Sequence, residues 1–341
     1  MNSFRIHLSM LALLLNACAV WMPAAEAATS CSATGTSVAF GTVSTSGTTD
    51  VSASFNVTCS TSGLSLLANT KVRMCLNIGD GSDGGGNFNP RRMLNGTGDA
   101  LQFQLYTDAA RSQIWGSRGN STVPNPLLSD FDYSVPVLGG SQTKTITIYG
   151  RVPTQTLVAG SYTNSFSGIN TSIDYRYNET LSGTASYPAS CVSGGIGGSS
   201  FSNAFPFTAS ATVPANCRAY TSTKLDFGNI AGLITGHVDQ ISTIGMICTG
   251  RTAWQVGLDN GLHAAGSTRR MQLGATPNYV TYELFRDPPR SQRWGNTLNT
   301  DTVQGTGTGT AQTLAVYGRV PAIQTPAAGA YGDTVTVTIT F

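Results

Sequence analysis

The chain has 341 residues, of which 40% are hydrophobic and only 11% charged, with a formal net charge of +2. Lysine occurs only at Lys71, Lys144 and Lys224, so there is no basic patch of the kind a nucleic-acid binder needs. The apolar fraction is too high and the net charge too low for a disordered chain, and the abundant Gly, Ser and Thr suit short strands joined by turns.

Arg5 precedes an apolar stretch running from Leu11 past Trp21, followed by Pro23 and the small residues Ala24, Ala25, Ala27 and Ala28. An A-x-A site at Ala25–Ala27 reads as a signal peptide over residues 1–27, so the mature protein is expected to be exported through the periplasm. A competing reading is lipid attachment at Cys18 within Leu15–Cys18, for which Asn16 is a poor fit. No other segment is long and apolar enough to span a bilayer as a helix.

Beyond the signal stand Cys31, Cys59, Cys75, Cys191, Cys217 and Cys248, an even set that in an exported chain reads as disulfides. With no C-x-x-C and only His237 and His263 beyond the signal, no metal site and no cofactor is expected. The chain is also written twice. "RRMLNG" from Arg91 recurs as "RRMQLG" from Arg269, and "LQFQLYTDAARSQIWGS" from Leu101 as "VTYELFRDPPRSQRWGN" from Val280. "YGRVP" from Tyr149 recurs from Tyr317, and Cys31–Cys59 and Cys217–Cys248 open the two copies at similar spacing. Two copies of one domain follow. Pairing Cys31 with Cys59 and Cys217 with Cys248 would close comparable loops, leaving Cys75 and Cys191 to staple the first copy.

Each copy has alternating Val, Ile, Tyr, Phe and Thr broken by Gly, Asn and Pro, without a sustained helical period. This predicts an all-β fold of two tandem immunoglobulin-like sandwiches. The expected layout is a first domain over 28–191, a Gly-rich linker and strand over 192–213, and a second domain over 214–341. In both copies the Trp of the R-S-Q-x-W motif (Trp115, Trp294) is expected to pack at the sandwich edge, with Arg111 and Arg290 bonding loop carbonyls. "DGSDGGG" from Asp80 lacks a regular oxygen-ligand pattern and reads as a turn.

The last residues alternate: Val335, Val337, Ile339 and Phe341 against Thr334, Thr336, Thr338 and Thr340. Nothing after this strand in the sequence covers its edge, which predicts an open edge there. Before Cys217, Phe205, Phe207, Ala209, Ala211 and Val213 alternate with smaller or polar residues, and "SGGIGGSS" from Ser193 gives this stretch freedom to fold back. It is expected to complete the first domain within the same chain. Almost nothing lies between Ala28 and Cys31, so the chain is expected to receive a strand and not to donate one.

An opening Cys, "FGT" at Phe40 or "FGN" at Phe227, a mid-domain Cys, "LYTD"/"LFRD", "YGRVP" and a terminal alternating strand resemble the spore coat protein U-type domain. Two such domains in one exported chain resemble the tip adhesins of archaic (Csu-type) chaperone–usher pili. The resemblance implies a C-terminal domain lacking its last strand. A periplasmic chaperone would fill it first, an outer-membrane usher would handle assembly, and an adjacent pilin subunit would then donate an N-terminal strand. The protein would reside at the cell surface, at a pilus tip.

Three segments of the first copy are unusually apolar for loops: Leu64, Leu66 and Leu67; Val123, Pro124, Pro126, Leu127 and Leu128; and Leu181, Ala185 and Tyr187. Grouped at one end, they would form an exposed apolar patch of the kind that marks interaction surfaces. The resemblance implies that this patch attaches to hydrophobic surfaces and serves biofilm formation, since such adhesins carry three distal apolar loops. The alternatives are a self-assembling spore-coat protein and a carbohydrate-binding pilus lectin. An enzyme is not expected, because any Ser-His-Asp triad would have to use His237 or His263, both in ordinary turns.

Overall fold

A computed structural model describes residues 28–62, 68–180 and 183–341. The signal segment 1–27 and four of the loop residues named above, Leu64, Leu66, Leu67 and Leu181, lie outside the described residues.

Among the described residues the first half has twelve strands: β1 (Ala28–Ala33), β2 (Ser37–Thr42), β3 (Thr49–Ser62), β4 (Ala68–Ile78), β5 (Arg91–Asn95), β6 (Ala100–Tyr106), β7 (Leu127–Val135), β8 (Gly140–Val152), β9 (Gly160–Phe166), β10 (Thr171–Thr180), β11 (Gly197–Ser202) and β12 (Phe207–Val213). They form an eight-stranded sheet in the order β1-β3-β8-β6-β5-β9-β12-β2, and a four-stranded sheet in the order β11-β10-β4-β7. Alternation explains the layering. In β7, Leu127, Ser129, Phe131, Tyr133 and Val135 turn inward while Leu128, Asp132 and Ser134 face solvent.

The second half contributes β13 (Cys217–Ser222), β14 (Val238–Cys248), β15 (Ala253–Leu258), β16 (Arg269–Leu273), β17 (Tyr279–Phe285), β18 (Val303–Thr306), β19 (Ala311–Val320), β20 (Tyr331–Gly332) and β21 (Val337–Thr340). Its sheets run β13-β14-β19-β17-β16-β20 and β18-β15-β21. The two halves have separate cores, one around Trp115, Phe103 and Phe166 and one around Trp294, Met246 and Leu284. The chain is thus all-β, two sandwiches in tandem.

Disulfides join Cys31 to Cys59, Cys75 to Cys191 and Cys217 to Cys248. The first and third link directly facing residues, across β1/β3 and β13/β14, with Cα atoms 4.1 and 4.0 Å apart. The second ties β4 to the segment that follows β10, outside the repeat.

Candidate strand-acceptor site and distal loops

β12 lies inside the first sandwich. It runs antiparallel to β9, with Phe207 facing Phe166 and Val213 facing Gly160, and parallel to β2, with Ala209 facing Val38. Phe205, Phe207, Ala209, Ala211 and Val213 are all buried. The Phe207 ring stacks on Phe166 at 4.4 Å and lies over Trp115 at 6.2 Å; Phe205 stacks between Phe55 at 5.7 Å and Trp115 at 5.9 Å. The Gly-rich run before it is more than a tether. Gly197 and Gly198 begin β11, which pairs along the outer edge of β10 before the chain crosses to the other sheet.

The repeat locates the same place in the second sandwich. Tyr331 matches Tyr162, and each hydroxyl donates to the carbonyl four residues back, Ala327 at 2.8 Å and Val158 at 2.7 Å. Phe227-Gly228 matches Phe40-Gly41 of β2. Between these two segments no strand lies among the described residues. An open groove of about 1000 Å³ takes its place, lined by Leu225, Phe227, Ile244, Val280, Tyr282 and Val335 among others.

Of the residues expected to form the acceptor edge, Val335, Val337, Ile339 and Phe341, the first two line this groove. The last strand is the counterpart of β10 and sits in the opposite sheet, where Val337 faces Leu258 and Ile339 faces Val256 of β15. Val335 and Ile339 pack on the core, while Val337 and Phe341 are exposed. Val335 and Val337 reach the groove only as part of its wall. The outer edge of β21 is also unpaired among the described residues, because it lacks a counterpart of β11.

The groove wall holds a polar clasp. Asp333 accepts hydrogen bonds from the His263 backbone N–H at 3.2 Å and the Tyr282 hydroxyl at 2.7 Å, and its Oδ1 lies 3.0 Å from His263 Nδ1. Burial, reinforced by the Asp333 carboxylate, pushes the Tyr282 phenol far above its ordinary range. The other histidine, His237, accepts the Ala322 N–H at 3.0 Å.

The described loop residues divide between core and surface. Val123, Leu127 and Ala185 are buried, Pro124 and Leu128 are exposed, and Tyr187 is half-buried beside Lys71 and Arg73. Register shows why one segment stands apart. Leu127 and Leu128 face Leu76 and Cys75, whereas the ends that bracket residues 63–67 and 181–182 are marked by Ala68 facing Val135 and Asn69 facing Thr180. Eight residues of strand separate Leu127 from Val135, roughly 26 Å. The turn that does lie with those ends is Pro136–Gly139, carrying Val137, 45% exposed, and Leu138, 88% exposed. Sequence reading missed it, although an apolar pair set between Pro136 and Gly139 was its signal.

The model of the Spore Coat Protein U domain matches residues 17–167 and again 203–338. The chain belongs to this family. It is 37% identical over 128 residues to Protein U of Myxococcus xanthus, covering 34% of this chain and 71% of that protein. Among solved structures, it is similar to a chain of the CsuC–CsuE chaperone-tip adhesion subunit pre-assembly complex of Acinetobacter baumannii archaic Csu pili. There the identity is 21%, the TM-score 0.48, and the coverage 92% of this chain and 100% of that one. It is similar also to the CupB6 tip adhesin of Pseudomonas aeruginosa, at 10% identity and a TM-score of 0.33, covering 92% of this chain and 95% of that one. These likenesses are too distant to transfer a residue or a role.

In both Spore Coat Protein U domains the repeated motifs contribute buried side chains to the interior. Trp115 and Trp294 are fully buried in the cores, deeper than the edge position expected for them, and their indole N–H groups donate to Leu76 O at 2.9 Å and Val256 O at 2.8 Å. Arg111 and Arg290 each bond a carbonyl of their own loop, Ala109 O at 3.3 Å and Pro288 O at 3.1 Å, and a strand carbonyl, Gly150 O of β8 at 3.3 Å and Gly318 O of β19 at 3.2 Å. The repeated R-R-M motif gives each domain a guanidinium at 0% exposure. Arg91 donates to Gly79 O, Gln104 Oε1 and Trp115 O, while Arg269 donates to Asp259 O, Trp294 O and the Glu283 carboxylate. Burial lowers Arg91 to a pKa of about 9, the Asp80 carboxylate offsetting only part of it.

Proposed function

We propose that this protein is the tip subunit of a chaperone–usher pilus. Its second domain accepts a strand from the adjacent pilin, and its first domain presents distal apolar loops to hydrophobic surfaces, including abiotic ones, in biofilm formation. A periplasmic chaperone would occupy the groove before assembly at an outer-membrane usher. The observation that supports this reading is the contrast between twin sandwiches: β12 fills the place between β9 and β2, and the matching place beside β20 is an open groove whose lining includes Leu225, Phe227, Ile244 and Val280. A groove of that lining left in water carries a cost at about 25 cal/mol per Å² of apolar surface, which a complementary strand removes.

The test is expression in a periplasm with the pilus chaperone. A one-to-one complex, lost when Ile244 and Val280 are replaced by Lys, supports the reading; a stable monomer that ignores the chaperone refutes it. The likeness to Protein U favours a second reading, a coat-type protein that self-assembles. Such a protein would form homo-oligomers without chaperone or pilin.

A further inference from the structure

Resting on the strand-acceptor reading above, we infer that the second-domain groove selects its strand by size. It requires large apolar side chains at two successive inward positions and small ones at the next two. The template is β12. Its inward residues meet β9 in a fixed register: Phe207 faces Phe166, Ala209 faces Asn164 and Ala211 faces Tyr162. The repeat converts these partners to Val335, Asp333 and Tyr331.

The two ends of the groove have changed differently. Around the leading positions the first domain supplies Phe55 and Phe166, which stack on Phe205 and Phe207. The second supplies Ile244 and Val335 in their places, both lining the groove, and keeps the buried tryptophan as Trp294. Two rings have become shorter aliphatic chains, so the incoming strand must bring the bulk that closes this end. At the trailing positions the partner is a carboxylate. Asp333 is held by His263 and Tyr282 and leans over Gly261, where even a Cβ would come within 2.0 Å of its Oδ2. A large side chain facing Asp333 and Tyr331 would hold the strand off β20 and break its backbone pairing, whereas Ala, Gly or Ser lets the two backbones close.

The experiment uses the full mature chain and two fluorescent peptides. One carries residues 203–215 of this chain, with Phe205, Phe207, Ala209 and Ala211. The other carries Phe205→Ala, Phe207→Ala, Ala209→Phe and Ala211→Phe, and so has the same composition. The first is expected to bind at least about tenfold more tightly, a difference of about 1.4 kcal/mol. Binding of both within about threefold overturns size selection and leaves strand acceptance standing; binding of neither overturns strand acceptance itself. A Val335→Phe variant of the chain, its fold checked by its melting temperature, is expected to weaken the first peptide by about tenfold. A peptide with Phe207→Ala alone should regain that loss. If Val335→Phe leaves the ranking of peptides unchanged, the assigned register is wrong.

Discussion

Phe207→Ala is the sharpest probe of whether β12 is an integral part of the first domain or a linker resting on it. Phe207 is 6% exposed, its ring stacked on Phe166 at 4.4 Å and near-parallel to Trp115 at 6.2 Å. Truncating a buried Phe costs about 3–5 kcal/mol, since the transfer loss and the cavity add. For a domain of this size each kcal/mol moves the midpoint by about 2–4 °C, so the first-domain transition should fall by roughly 6–20 °C. Calorimetry on the whole chain resolves the question, because the cores are separate and the second-domain transition should stay in place. Phe205→Ala should act similarly but sub-additively with Phe207→Ala, as both rings pack on Trp115. A fall smaller than about 3 °C, or an equal fall in both transitions, would refute the placement of β12 as a core strand.

Replacing Val137 and Leu138 by Ser and Asp should cut attachment of piliated cells to polystyrene several-fold at unchanged pilus number, while Leu128→Ser, at the other end of β7, should not. Equal effects of the two would remove the assignment of a distal face. Arg91→Lys should destabilise the first domain by about 3 kcal/mol in denaturant titration, since an ammonium cannot serve three buried acceptors in the plane of a guanidinium. Acid should unfold both domains together. The Arg151 hydrogen bond holds Asp50 below the ordinary carboxylate range, and Arg319 does the same for Asp239 in the second domain. The stability these pairs contribute is full above about pH 4 and drains as pH falls through the lowered values, so melting temperatures should be flat from pH 7 to about 4 and drop below it. Asp50→Asn should flatten that drop in the first domain alone.

The repeat, the cysteines and the alternation of Phe205 to Val213 were legible because each is a local pattern with one physical meaning. The place of the groove was not. A period of two tells which face of Val335–Phe341 is buried, but not which strand lies beside it. Only the pairing of β21 with β15 shows that this strand is the counterpart of β10. The loops resisted for a related reason: Val123 and Leu127 carry the same residue types as a contact loop, yet both side chains are buried. Arg91 was invisible as a core residue because a guanidinium is expected in water; its three acceptors come from separate segments, brought together only by folding.

The passage from β12 to β13 has a mechanical meaning. Only Pro214, Ala215 and Asn216 separate the two strands, and beside them Gly250 of the second domain exchanges backbone hydrogen bonds with Leu157 and Ala159 of the first, at 2.8 and 2.9 Å. Tension between the domains therefore pulls along the axis of β12. Its seven register pairs with β9, and those with β2, are loaded together in shear and cannot be unzipped one at a time. The strand that completes the first domain is also its tow-line, and a load that peels an ordinary edge strand would leave this one seated.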